Sequence, residues 1–323
     1  MTSLSISNLN PKFALVLSRA LAALRPALIS FLVVNAMQLS GGIQVPISFC
    51  NVLFVGNLCA SITVLAWFGA TEIFNDLRAL NWRLLLGLFI DGCFAALLSA
   101  LIFRGLEVTM VTNAVLLARL GPVLYAIAGA LIFRKPILKW EWMGFSLIVV
   151  GVVAIVLKTN NFEINFGDIL ILCSTVVYAS SAIIGKFILS KETKLRTVVF
   201  TRNLVSSIVF AIIVFVLFGP DHFTETFAGQ LWIVMAIYAL ILIVIAQFLW
   251  YAALSKLDSR TVGKWTVLSP VFGVTYAFIL NGERPSLTQA MAFVVIMAGV
   301  AIASFTKPQP KEIASISENG TSS

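Results

Sequence analysis

Residues 109–133 read TMVTNAVLLARLGPVLYAIAGALIF, a run in which Arg119 is the only charged side chain. At about 1.5 Å rise per residue, a helix of this length crosses the roughly 30 Å hydrocarbon core of a bilayer. Arg119 falls close to the middle of the run, where a charge costs at least a few kcal/mol unless it faces a cavity or a partner. Three residues later, Pro122 removes a backbone donor. The stretch therefore reads as a membrane span with a break and a charge near mid-depth.

Outward from it, nine further runs of similar length are bounded by charge, Gly or Pro. With 109–133 they predict ten spans: 23–42, 46–69, 84–103, 109–133, 138–157, 168–189, 197–219, 231–254, 260–281 and 287–305. Of the 323 residues, 60% are hydrophobic and 11% charged, and the mean hydropathy is +1.01. Soluble domains carry about twice that charge, so a soluble enzyme, a disordered chain and a coiled coil are excluded. Cys50, Cys59, Cys93 and Cys173 lie singly within apolar runs and read as packing residues, not as a disulfide framework or zinc site. Residues 1–22 and 306–323 read as polar tails, and the acid-free stretch Lys12 to Arg25, which overlaps the first of them, has interfacial-helix or transit-peptide character.

The net charge of +8 is spread over connectors and forms no basic face, so no nucleic-acid partner is expected. Sorted by alternate connectors, fifteen Lys and Arg fall on the side of the N-terminus and three, Arg104, Lys158 and Arg284, on the other. The positive-inside rule then places both termini in the cytoplasm.

The chain also repeats itself. Asn57-Leu58 with Ser61-Ile62 recurs as Asn203-Leu204 with Ser207-Ile208, and Leu106, Pro122-Val123 and Gly151-Val152 recur as Leu254, Pro270-Val271 and Gly299-Val300. These matches align spans 2–5 with spans 7–10. Each half has five spans, an odd number, so the second half enters the membrane inverted. The expected organisation is a first repeat over 23–157 and a second over 168–305.

Ten spans in two inverted halves resemble the drug/metabolite transporter superfamily, in particular its EamA-like carriers. The resemblance rests on the paired aromatic-x-x-Leu ends Phe103 to Leu106 and Tyr251 to Leu254, the paired Pro122 and Pro270, Gly282-Glu283, and the glycine tracts ending at Gly151 and Gly299. It covers about residues 26–305. Arg134 stands where the family pattern has Glu, and Gly56 is the repeat counterpart of Arg202, which breaks strict two-fold symmetry. The resemblance implies an all-α carrier whose inverted halves rock about a central cavity, with spans 1–4 and 6–9 lining it and spans 5 and 10 peripheral.

Within the spans, Arg119 is the first site candidate, with Pro122 and Pro270 as hinges. Asp91 lies too deep for a helix-end charge and reads as a coupling-proton carrier or as the partner of a basic residue. Lys186, Arg202 and Lys264, near the cytoplasmic ends of their spans, snorkel to the headgroups or together form a positive vestibule for an anionic or zwitterionic solute. Asn113, Tyr125, Tyr178, Gln247, Tyr251 and Trp265 complete the expected pathway, beside Asn35, Gln38, Asn57, Asn203 and Tyr276. Gly144 and Gly151, like Ala292 and Gly299, share a helix face that packs against a neighbour or a second copy of the chain.

His222 is the only histidine, and no HExxH, P-loop or GxGxxG at a helix start occurs. The sequence therefore implies no metal and no cofactor. The expected function is a secondary transporter in a bacterial inner membrane. Its solutes would be small metabolites such as amino acids, exported by alternating access against a proton gradient, and Arg119→Ala would abolish flux. Phosphorylated sugars or carboxylates are the nearest alternative, with a lipid-processing membrane enzyme and a non-transporting scaffold as rivals from other classes.

Overall fold

The computed structural model describes residues 10–35, 49–133, 137–158, 165–189, 193–219, 229–254 and 268–303, with Leu257 and Trp265. All regular structure among them is helical, the form in which an apolar segment satisfies its own backbone in lipid. Eight segments are long and apolar enough to cross a membrane, and Ser269–Asn281 and Leu287–Ala303 are shorter apolar helices. Large exposed apolar side chains such as Phe89, Val150, Phe215, Ile233 and Val294 point outward along them, as a lipid-facing surface requires. Trp82, Trp140 and Trp142, exposed at helix starts, stand where an interfacial aromatic belt belongs.

Helix α1 runs Pro11–Val34 and so begins well before residue 23. Asn10 and Pro11 set its start. The Asn10 side chain accepts from the Lys12 amide at 3.0 Å, and proline in the first turn has no bond to lose. Residues 11–22 are therefore helix and not a solvated tail, with Ala14, Leu15 and Ser18 buried. Lys12, Arg19 and Arg25 therefore belong to this helix and not to a connector.

Helix α2 (Phe49–Phe68) is followed by the short amphipathic α3 (Ala70–Arg78) and by α4 (Trp82–Leu106), whose first turn is capped by Asn81. The fourth run is two helices, α5 (Val111–Leu117) and α6 (Leu120–Phe133), with the turn at Ala118-Arg119. Pro122 sits in the first turn of α6, where its missing donor costs nothing. At the other end of α5, Glu283 caps the first turn: its carboxylate accepts from the amides of Val111 at 2.6 Å and Thr112 at 2.8 Å. Helices α7 (Lys139–Lys158), α8 (Phe166–Leu189) and α9 (Leu195–Phe218) follow. The next segment is α10 (Gly229–Tyr238), a wider π-helical turn at Ala239–Ile245, and α11 (Ala246–Leu254). Helices α12 (Ser269–Asn281) and α13 (Leu287–Ala303) close the chain, with Pro270 in the first turn of α12.

Among the apolar clusters that hold these helices, two are large. One joins α2, α9 and α10 through Val55, Val64, Phe210 and Met235; the other joins α5, α7 and α13 through Leu116, Ile148, Ile155 and Ile296. Helices α7 and α13 pack antiparallel on their small residues, Gly144 against Gly299 and Gly151 against Ala292 and Ile296. The glycine face that offered itself to a second copy is thus filled within the chain.

At one end of the bundle, α3 clamps the start of α9. Asp76 takes Lys194 Nζ at 2.7 Å and Arg196 Nε at 2.6 Å, while Arg196 Nη2 reaches Glu72 at 2.8 Å. The Arg196 hydrogen bond, aided by Lys194, holds the Asp76 carboxyl down at about 2. A carboxyl depressed in the folded state stabilises above its unfolded value and loses that contribution as pH falls through the folded one. The clamp is therefore expected to hold unchanged from neutral pH down to about 4 and to fail towards pH 2. Thermal melts across that window should show a steeper acid loss for the native chain than for Asp76→Asn; parallel curves would deny the clamp any part in stability.

Candidate functional site

Between the helices lies a cavity of about 1010 Å³, lined by side chains of α1, α2, α4, α6, α8 and α9 and of the π-turn segment. Each helix contributes one face. On α1 the lining residues are Arg19, Ala22, Arg25, Pro26 and Ile29, spaced three to four apart as one side of a helix demands.

Asp91 reaches the cavity wall from α4 and is 1% exposed. Both its oxygens accept from Arg202 Nη1 at 2.9 Å, and Oδ1 also accepts from Ser181 Oγ at 2.6 Å. Arg202 Nη1 donates to Ser181 Oγ at 3.1 Å, so α4, α8 and α9 meet at one hydrogen-bonded triad. Of the two readings of Asp91, the structure shows the ion pair. Arg202 does not snorkel to the headgroups; it turns inward.

Arg25 also lines the cavity, from α1. Its Nε donates to the Leu242 carbonyl at 2.7 Å and its Nη2 bonds the same oxygen. Leu242 lies in the π-helical turn, and widened turns of this kind tend to mark functional positions. Nearby, Ser18 Oγ donates to the Ala246 carbonyl at 2.8 Å and the Arg19 guanidinium lies 3.6 Å over the Trp250 ring. Helix α1 is thereby fastened to the eighth membrane-crossing segment by three side chains.

Asn57 and Asn203, matched in the sequence repeat, both line the cavity and behave alike. Each donates through Nδ2 at 2.7 Å to the carbonyl one turn back, Leu53 and Val199 respectively. Each amide oxygen is left without a hydrogen from its own helix. Gln247 also lines the cavity, and its buried Oε1 meets no hydrogen-bond donor among the described residues. Tyr125, Tyr178 and Tyr238 supply aromatic wall.

Of the residues singled out in the sequence, Tyr125, Asp91, Tyr178, Arg202 and Gln247 line this cavity. Arg119 is not among the lining residues: at the break between α5 and α6 its Nε donates to the Val115 carbonyl at 3.3 Å, within its own helix turn. Asn113 is 2% exposed and accepts from Gln289 Nε2 at 2.7 Å, which ties α5 to α13 away from the cavity. Trp265 is exposed and does not line it. Lys264, Gln38 and the side chains of Lys186 and Tyr251 lie outside the described residues. Sequence reasoning missed Arg19 and Arg25 because they were counted as tail charges. The Asn10-Pro11 helix start and the regular spacing from Arg19 to Ile29 were the signals that would have placed them.

Residues 27–157 and 165–305 each match the model of the EamA-like transporter family. An uncharacterized transporter of Synechocystis sp. is 32% identical over 274 residues, covering 80% of this chain and 76% of that protein. A probable amino-acid metabolite efflux pump of Salmonella typhimurium is 25% identical over 181 residues, covering 54% of this chain and 60% of its own. A crystal structure at 17% identity superimposes with a TM-score of 0.57, covering 89% of this chain and 98% of the other.

Proposed function

From the membership of this chain in the EamA-like transporter family, we propose that it carries small polar metabolites, amino acids or related organic solutes, outward by alternating access of two inverted five-span halves. It is a multi-pass membrane transporter and not an enzyme. The observation that carries the proposal is the cavity, walled by helices of both halves and by paired polar residues, Asn57 with Asn203, from repeat-related positions. The antiparallel α7–α13 pair supports the inverted arrangement and the peripheral place of spans 5 and 10. Setting aside the short α3, counting α5 with α6 and α10 with α11 as single crossings, and admitting α12 and α13, gives ten. The bias of basic residues supports cytoplasmic termini in a plasma membrane. The efflux-pump relative favours outward transport.

Proteoliposomes holding the purified chain test this directly. Labelled amino acids trapped inside should exchange with external solute, and an absence of counterflow for every amino acid and organic acid tried would remove the proposal. Because Arg119 serves its own helix, Arg119→Ala should keep this flux and lose only about 1 kcal/mol of stability, the worth of one hydrogen bond. An inactive but normally folded variant would return Arg119 to the pathway. Phosphorylated sugars or carboxylates are the second reading, favoured by the arginines that face the cavity.

A further inference from the structure

We infer that the solute is a small organic anion and that Arg25 is the residue that reads its carboxylate, with a hydroxyl or amino group of the solute donating to Gln247. The inference rests on the carrier reading and narrows it.

The first ground is the balance of charge. Three arginines, Arg19, Arg25 and Arg202, line the cavity, and the Asp91 carboxylate lies at the same wall. Asp91 is committed to Arg202 and Ser181. Arg25 meets no carboxylate among the described residues; its partner is a neutral carbonyl. A cation held in a membrane interior without a counter-charge is costly, and a solute anion supplies that counter-charge when it binds.

The second ground is donor geometry. A guanidinium presents its N–H groups along fixed edges, and Leu242 occupies the Nε–Nη2 edge of Arg25. The Nη1 side keeps its hydrogens, and two parallel N–H groups are the match for a carboxylate. Holding the guanidinium on the carbonyl of a π-turn also fixes its orientation before any solute arrives.

The third ground is Gln247. A buried amide oxygen with no donor is a standing cost of about 1–3 kcal/mol, which a ligand N–H or O–H removes. It follows Leu242 by five residues, so it lies roughly one turn, about 7 Å, along the same helical segment from the carbonyl that holds Arg25. Both groups line the same cavity, so a small solute with a carboxylate and a donor on the neighbouring carbon is the kind of molecule that can meet both. No uncommitted carboxylate among the described lining residues awaits an ammonium, so an α-hydroxy acid suits the cavity better than the corresponding zwitterion.

The test uses the purified full chain and a panel of α-hydroxy acids, the matching α-amino acids and the matching α-hydroxy amides, with side chains from methyl to indole, beside sugar phosphates. Binding is read as stabilisation against heat, and flux as counterflow in proteoliposomes. At least one α-hydroxy acid should stabilise the chain, its amide should not, and the amino acid should bind more weakly. Arg25→Gln should weaken acid binding by about tenfold or more, as expected when a charge-assisted hydrogen bond is lost. Should Arg25→Gln fold poorly for want of its Leu242 bond, Gln247→Glu serves instead, placing a like charge beside the solute and abolishing acid binding in a folded protein.

The inference is overturned if amides bind as tightly as acids, if only phosphates stabilise, or if no acid does. Counterflow of neutral or cationic solutes with indifference to acids would also overturn it while leaving the carrier reading intact. Selective acid binding without counterflow of any solute would instead uphold the site and sink the carrier reading.

Discussion

Asp91→Asn is expected to lower the stability of the folded protein by about 3 kcal/mol and to abolish counterflow with it. The carboxylate is 1% exposed and takes three hydrogen bonds, two from Arg202 and one from Ser181. Removing its charge leaves the Arg202 guanidinium without its partner at the cavity wall, and the penalty is that of an uncompensated cation in a low-dielectric setting. The triad also joins α4 of the first half to α8 and α9 of the second. The variant therefore loosens one of the contacts through which the halves meet. Thermal melting of Asp91→Asn, Arg202→Gln and the double variant separates the pair from its parts. The double variant should melt above either single one, because an amide pair leaves no charge stranded. Additive losses would mean that the two side chains do not act as a pair.

The second large effect belongs to the α7–α13 contact. A Cβ placed on Gly144 would lie 2.5 Å from the Gly299 carbonyl and 2.6 Å from the Ala303 amide nitrogen. Both are backbone atoms, which cannot rotate away as a side chain can. Gly144→Val is expected to cost about 3 kcal/mol or to prevent accumulation of the folded protein, at the upper end of overpacking penalties. Gly185→Ala is the control: nothing lies within 4 Å of the position its Cβ would take, and alanine there should be neutral or raise stability by up to about 1 kcal/mol. Equal melting of Gly144→Val and the native chain would mean that α7 and α13 do not pack through this face.

Legibility differed sharply between fold and site. The helical class and most of the spans were open to reading because hydropathy over twenty residues is a summed signal, insensitive to any one position. The halves were visible because Pro, Gly and Asn recur at nearly constant offsets. Boundaries were less secure: the first helix begins at Pro11, since the Asn10 cap and the proline that follows it act locally and leave no trace in average hydropathy. Arg119 drew attention by depth alone, yet depth along a helix says nothing of azimuth. Its side chain turned to its own helix, while Arg25, which looked like a tail charge, turned to the cavity.

What the sequence determined by itself is therefore one-dimensional. It set a chain that spans the membrane many times, the duplication of its halves, the absence of recognisable nucleotide-binding and zinc-hydrolase motifs, and the stock of polar groups placed within apolar runs. Those properties depend only on which residues follow one another. Only the tertiary structure decided that Asp91 is neutralised by Arg202, that Arg25 rests on Leu242, and that Gly144 closes on Gly299. Each of these joins residues more than a hundred positions apart. The energy of such a contact depends on distances of a few ångströms and on which face of a helix a side chain leaves, and packing settles both.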